Sequence, residues 1–286
     1  MRFAAFRTDS GEGLGALAPD GTITGLLEDD SRYPGDLRSL LARGDEALND
    51  AYERLRSGDR IDPHRMRWRP PIPTPGKIVC VGLNYAEHAA ESGFKPPAYP
   101  AFFVRFPTSL VGHESPMVRP NASDQLDYEA ELVAVVGRRA RHVSKDRALE
   151  HVSGYSMFND GSVREYQYKS PQWTVGKNFD STGAFGPMFV TADELPPGGK
   201  GLKIEMRVNG TVRQTASTSE MIFDVATLLA TLSEAMTLEP GDVLVTGTPS
   251  GVGKARTPPL FLKPGDVCEV SIERIGTLRN PVIQET

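Results

Sequence analysis

Glu129 and Glu131 stand two residues apart in DYEAELVAVVG, residues 127 to 137. The run has strand character, and residues two apart on a strand share a face. Asp127, Glu129 and Glu131 therefore fall on the side of Val133 and Val135, with Tyr128, Ala130, Leu132 and Ala134 on the other. Like charges stacked on one face repel, and near an apolar core they also lose hydration. A hard divalent cation shared by two carboxylates about 7 Å apart along a strand removes that cost. Mg²⁺ or Mn²⁺ asks for oxygen ligands in roughly octahedral coordination, and Asp160 in the turn-like FNDGS is the best third protein ligand. The same glutamates would also suit an exposed strand face balanced by basic neighbours, and their spacing does not decide between the two.

A second constellation is VGLNYAEHAAESG, residues 81 to 93. Asn84 and Glu87 have capping-box spacing for a short helix that Gly93 ends. His88 and Glu91 then lie at i and i+3, on one face. A carboxylate beside an imidazole orients it and raises its basicity, which suits a general base acting on water; the alternative is a simple surface pair. A two-turn helix is marginal alone, so a functional one would act as a lid that orders over substrate. Lys177, in QWTVGKNFDSTGAFGP, is either a solvated lysine or the positive charge facing a developing oxyanion. In VLVTGTPSGVGKA, residues 243 to 255, a strand runs into a Gly-rich turn. Five residues separate Gly247 from Gly253 and Ala255 follows Lys254, so the phosphate-loop spacing fails and nucleoside triphosphate use is not supported. Backbone N–H groups of that turn, with the Thr248 hydroxyl, could still hold a substrate carboxylate.

These groups must be positioned by the surrounding elements. The chain has 286 residues, 39% hydrophobic and 24% charged, with formal charge −5, which excludes neither one large domain nor two unequal ones but does not draw nucleic acid or an anionic membrane. The basic stretch Gly137–Arg147 reads as a solvated loop. No apolar run is long enough for a transmembrane helix and the first residues lack a signal-peptide core, so the cytoplasm is the expected compartment. Cys80 and Cys268 read as buried thiols rather than a disulfide. Residues 1–70 form a small N-terminal unit: short strands around an Asp20-Gly21 hairpin, then two helical stretches ending at glycines. Five prolines between Ile61 and Lys77 read as a linker. Residues 71–286 form the larger domain, mostly β. LKIEMRVNGTVRQTAS is a hairpin turning at Asn209-Gly210, FDVATLLATLSEAM an amphipathic helix capped by Asp224, and two Pro-Gly-Asp turns at 240 and 264 each feed a strand. Strands without regular helical crossovers make a doubly wound nucleotide fold a poor fit.

NYAEHAAE, DYEAEL, FNDGSVREYQ, QWTVGKNFD…FGP and TGTPSGVG, taken in this order, resemble the signature segments of the fumarylacetoacetate hydrolase superfamily over about residues 75 to 280. The resemblance implies a mixed, mainly β fold: a β-sandwich roll with a small N-terminal α+β domain, usually a homodimer. It implies Glu129, Glu131 and Asp160 as ligands of one Mg²⁺ or Mn²⁺ per chain, Lys177 as oxyanion stabiliser, and His88 with Glu91 as the catalytic dyad of the acylpyruvase-like branch. Gln167 and Thr248 match substrate-contacting positions. In FFVRFPTS, Arg105 replaces a lysine of the family pattern and would offer a bidentate fork to a planar substrate carboxylate. FNDGS replaces the family's more usual NDVS, with no physical account of its effect. The implied activity is metal-dependent hydrolysis of the C–C bond of acylpyruvate-type 2,4-dioxo acids. Isomerisation or decarboxylation of 2-hydroxy-dienoates from aromatic catabolism and hydrolysis of 2,4-dioxo-3-deoxy sugar acids are the enzymatic alternatives. A metal-stabilised binding module is the non-enzymatic one.

Overall fold

The computed structural model describes residues 1–62 and 65–286. Its spine is a twelve-stranded, largely antiparallel sheet. The path runs Asp59–Arg60, Ile23–Leu27, Gly11–Leu17, Arg2–Thr8, Gly183–Thr191, Val152–Asp160, Ala130–Val136, Val243–Val245, Ile78–Gly82, Ala101–Arg105. A five-stranded sheet, in the order Thr211–Ser217, Lys203–Val208, Val267–Ile272, Gly276–Gln284, Met117–Arg119, packs over its central part. One apolar cluster joins the two layers, with Ala130, Leu132, Ala134 and Met157 of the long sheet meeting Ile204, Met206, Val270 and Leu278 of the short one. Face-to-face burial of alternate residues from two sheets is what makes a sandwich, so the mixed, mainly β fold expected from the sequence is the fold observed.

The hairpin at Asn209-Gly210 is present, both residues having positive φ (52° and 75°) and Val208 pairing Thr211. Mirror-image turns of this kind match the twist of the flanking strands. The amphipathic helix spans Val225–Ala235; the Asp224 side chain accepts from Thr227 N, and Val225, Leu228, Leu229 and Leu232 are buried. Met236 lies past its end and is 37% exposed, so it leaves the expected buried face.

The N-terminal strands continue the long sheet through Arg2↔Val190 and Phe3↔Phe189. Leu40, Leu41 and Leu55 of the two N-terminal helices share one apolar cluster with Val133, Val135 and Val243. The proline-rich stretch enters the sheet, Trp68 opposite Phe6 and Arg67 opposite Arg7; positions 63 and 64 of it lie outside the described residues. Arg67 and Trp68 precede the Pro70-Pro71 pair and so keep the backbone donors that proline lacks. Cys80 and Cys268 are buried and unbridged. Among the described residues no helix is long and apolar enough to cross a membrane.

Candidate active site

The strand alternation around the glutamates is as the sequence predicts. Tyr128, Ala130, Leu132, Ala134 and Val136 enter the cluster between the sheets, and Val133 and Val135 the opposite one. Glu129 and Glu131 take the latter side near the strand's beginning. Glu131 stands opposite Phe158 and Ala130 opposite Asn159 on the neighbouring strand. Asp160 ends that strand, its N–H donating to the Glu129 carbonyl at 2.9 Å, while the Asn159 side chain accepts from Glu129 N at 3.0 Å. Each of Glu129, Glu131 and Asp160 offers an oxygen within 4.8 Å of the others, and all three are buried. Oxygens about 2.0–2.6 Å from a common ion must lie within about 5 Å of one another. The hard, all-oxygen donor set and its spacing therefore fit a divalent cation of the Mg²⁺ or Mn²⁺ kind.

Cations are already packed around the trio. Lys177 Nζ donates to Glu129 Oε2 and Asp160 Oδ2, each at 2.6 Å. Arg105 Nη1 donates to Asp160 Oδ1 at 2.5 Å. Arg164 Nη2 lies 2.7 Å from Glu129 Oε1, at an angle too poor for a hydrogen bond, while its Nε donates to Asp127 Oδ2 at 2.7 Å. Burial opposes ionisation of Glu129, but Lys177 and Arg164 outweigh it and hold the carboxyl down at about 2. Burial likewise opposes the charge of Lys177, and Asp160 and Glu129 outweigh it, raising the ammonium. Glu131 forms no ion pair among the described residues. Its Oε2 accepts from Gly247 N at 2.5 Å, and burial followed by the Asp160 and Glu129 charges pushes its carboxyl well above the usual range. Four buried acids, Asp127, Glu129, Glu131 and Asp160, thus face three buried cations, Arg105, Arg164 and Lys177. With all four ionised, a dication, whose charge would itself favour the ionised form of Glu131, would turn an excess of one negative charge into an excess of one positive charge, which suits an anionic substrate.

His88 and Glu91 meet as the spacing predicts, His88 Nδ1 to Glu91 Oε1 at 2.8 Å, on the six-residue helix Ala86–Glu91. Glu91 Oε2 also accepts from Gly251 N at 2.8 Å, which ties the dyad to the Gly-rich loop. The capping role expected of Asn84 is not what forms. Its amide donates to Phe223 O and Thr246 O and accepts from Phe223 N, because the residue is fully buried between three segments and must satisfy its own polar atoms. Tyr85 stands at the N-cap instead, without a side-chain cap.

The N–H groups of the Gly-rich loop also go elsewhere than expected. Gly247, Gly251 and Gly253 donate to Glu131, Glu91 and Asp127, so the loop clamps the protein's own carboxylates. Gly247 is required there: its φ is +98°, and a Cβ would stand 2.7 Å from that of Asn84. Asp127 accepts from Tyr128 N, Gly253 N, Lys254 N and Arg164 Nε, a hydrogen-bonding role rather than a place in the acidic trio.

A narrow cavity opens over these groups, lined among others by His88, Glu129, Glu131, Gln167, Lys177 and Thr248. Gln167 accepts from Arg164 Nη1 at 2.9 Å, and Thr248 Oγ1 accepts from Gln214 Nε2 at 2.8 Å. Arg105 does not reach this cavity wall. Its fork is spent on Asp160, Gly161 O, Ser109 and Thr182, under the Phe158 ring, so it bonds a neighbouring acid instead of facing substrate. Arg164 is the residue the sequence reading passed over, although it lies in the same VREYQ segment as Gln167. An arginine three residues from a glutamine on a one-turn helix was the available signal.

A model of the fumarylacetoacetate (FAA) hydrolase C-terminal region matches residues 77–283, and the chain belongs to this family. Among curated proteins it is 38% identical over 270 residues to the mitochondrial oxaloacetate tautomerase fahd2 of Xenopus laevis, covering 93% of this chain and 84% of that one. It is 36% identical to the oxaloacetate tautomerase YisK of Bacillus subtilis, covering 99% of this chain and all of that one. Among solved structures, a fumarylacetoacetate hydrolase from Exiguobacterium antarcticum superposes with a TM-score of 0.86 at 37% identity, covering the whole of both chains. A maleylpyruvate hydrolase from Sphingobium sp. SYK-6, solved with manganese(II) and pyruvate, gives 0.82 at 26% identity, again over the whole of both. Relatives thus include tautomerases and hydrolases, in mitochondrial and bacterial settings.

Proposed function

We propose that this protein is a metal-dependent keto–enol tautomerase of oxaloacetate or a closely similar short 2-oxo dicarboxylate. The observation that carries the reading is that His88, with Nδ1 held by Glu91, lines the same small cavity as Glu129, Glu131 and Lys177. One proton-transfer group and one anion-holding cluster therefore share a single space. The names of the curated relatives support oxaloacetate as the substrate.

Glu129, Glu131 and Asp160 are the residues that would hold a divalent cation, which when bound would supply Lewis-acid stabilisation of enolate charge. Tautomerisation removes the proton of the 2-hydroxyl and adds one at C3, so nothing else is gained or lost. His88 Nε2 is the ring nitrogen left to carry that proton, since Nδ1 is committed to Glu91. Lys177 and Arg164 bring fixed positive charge to a dry site, where it acts on a carboxylate or oxyanion without reorganising. Gln167 and Thr248 line the cavity as neutral hydrogen-bonding groups that orient the substrate.

Hydrolysis of acylpyruvates is the second reading, supported by the same dyad, which could equally take a proton from water, and by the likeness to maleylpyruvate hydrolase. A homodimer is the assembly expected from the family resemblance.

The deciding experiment uses metal-stripped protein with and without added Mg²⁺ or Mn²⁺. The expected result is metal-dependent acceleration of the loss of enol-oxaloacetate absorbance, with no pyruvate released by the enzyme. Pyruvate and a carboxylic acid formed from acylpyruvates, without acceleration of the enol, would overturn the tautomerase reading in favour of the hydrolase.

A further inference from the structure

We infer that Trp173, wedged against the backbone of Gly82, sets the size of substrate tail that the cavity admits; this rests on the reading of the site as one for 2-oxo acids. Both residues line the cavity. A Cβ built on Gly82 would lie 2.1 Å from Trp173 Cζ3, 2.7 Å from Cη2 and 3.4 Å from Cε3. The six-membered edge of the indole thus occupies the place a side chain at 82 would need. Gly82 is absent from the positive-φ glycines, so glycine is required at this position for room and not for its backbone freedom.

Phe103 holds the indole from another side, with ring centroids 5.6 Å apart and planes at 67°. Phe103 in turn lies beneath the Lys177 ammonium, 4.9 Å from its ring centroid. The Trp173 carbonyl accepts from Lys177 N at 3.2 Å, so indole and ammonium ride on one helical turn, Thr174–Lys177. A ring held between a backbone and a second ring cannot swing aside without loss of packing.

The other aromatic walls are less suited to limit a tail. Phe94 and Tyr168 are 46% and 42% exposed, so each gives only part of its ring to the wall. Phe103 is buried and supports Lys177, so its removal would disturb the charged cluster. Trp173 is the bulky wall whose reduction adds room without removing any acid or cation of the site.

The test is calorimetric binding to the full chain loaded with Mn²⁺, comparing pyruvate and phenylpyruvate, which share a head group and differ in the tail. Wild-type protein is expected to bind phenylpyruvate at least about tenfold more weakly than pyruvate, within the range that pocket size can discriminate. In Trp173→Ala that gap should close about tenfold. Trp173→Phe, which keeps a ring against Gly82, should give an intermediate gap and serves as the arbiter should the alanine variant fail to fold. An unchanged gap in a folded variant that still binds pyruvate overturns the assignment of Trp173 alone. Failure of the wild-type protein to bind either acid while it binds Mn²⁺ overturns the 2-oxo acid reading, and the tail limit with it.

Discussion

The two halves of the site are built on different supports. Glu131 sits on the strand Ala130–Val136, Glu129 immediately before it and Asp160 at the end of Val152–Asp160; Ala130–Val136 is buried along its whole length and paired on both sides, with Val152–Asp160 and with Val243–Val245. His88 and Glu91 sit on a six-residue helix held by a single β-bridge beside it, Tyr85 to Met221, and by a few polar ties. A helix this short does not sustain itself, so its order is lent by its neighbours. The contrast follows from the chemistry each half performs. Crowded like charges need a backbone that cannot relax away from them, whereas a group that moves a proton beside an arriving substrate can stand on an element that gives.

The largest effect expected is at the rigid half. Glu131→Gln should cut Mn²⁺ affinity at least about 100-fold and metal-dependent turnover about 1000-fold. Metal-free Tm should hold or rise, because among the described residues Glu131 forms no ion pair to strand and accepts from Gly247 N. Asp160→Asn should lose metal as well but also unfold more readily, by about 3–5 kcal/mol, since Arg105 and Lys177 would be left with one buried partner fewer. Mn²⁺ titration and thermal melts of both variants check this, and equal destabilisation by the two would break the account of Glu131 as the unpartnered acid.

At the helical half, His88→Asn should lower kcat by about 10²–10⁴ with Mn²⁺ affinity and Tm nearly unchanged. A matching loss of metal affinity would show that the two halves are not separable.

The smallest effect lies far from both, where the Met1 ammonium meets Glu194 Oε1 at 2.6 Å and Arg2 Nε meets Oε2 at 2.9 Å. Burial opposes ionisation of Glu194, and these two cations outweigh it, lowering the carboxyl. A carboxyl lowered by folding stabilises above its unfolded value and loses that contribution as pH falls through the folded one. Glu194→Gln should therefore cost at most about 1 kcal/mol at neutral pH and progressively less as pH falls below the usual glutamate value, as urea melts over a descending pH series would read. The comparison is sharpened if this half-buried cluster proves worth far less than the buried pair of Arg105 with Asp160.

Much of this was legible in the sequence because it depends on neighbours in the chain. Alternation along DYEAELVAVV put Glu129 and Glu131 on one face, the i, i+3 spacing brought His88 to Glu91, and Asn209-Gly210 closed its hairpin. Each follows from the period of a strand, a helix or a turn. What periodicity does not contain is which segment lies alongside, and there the tertiary structure decided. It turned Arg105 from the cavity to Asp160, 55 positions away, and spent the N–H of Gly247 on Glu131, 116 positions away. It made Asn84 a buried tie rather than a cap, raised Arg164 into the cluster, and laid Trp173 on Gly82. The physical reason is common to all five. A buried polar or bulky group takes whichever partner satisfies it in three dimensions, and sheet order, not local sequence, determines who that partner is.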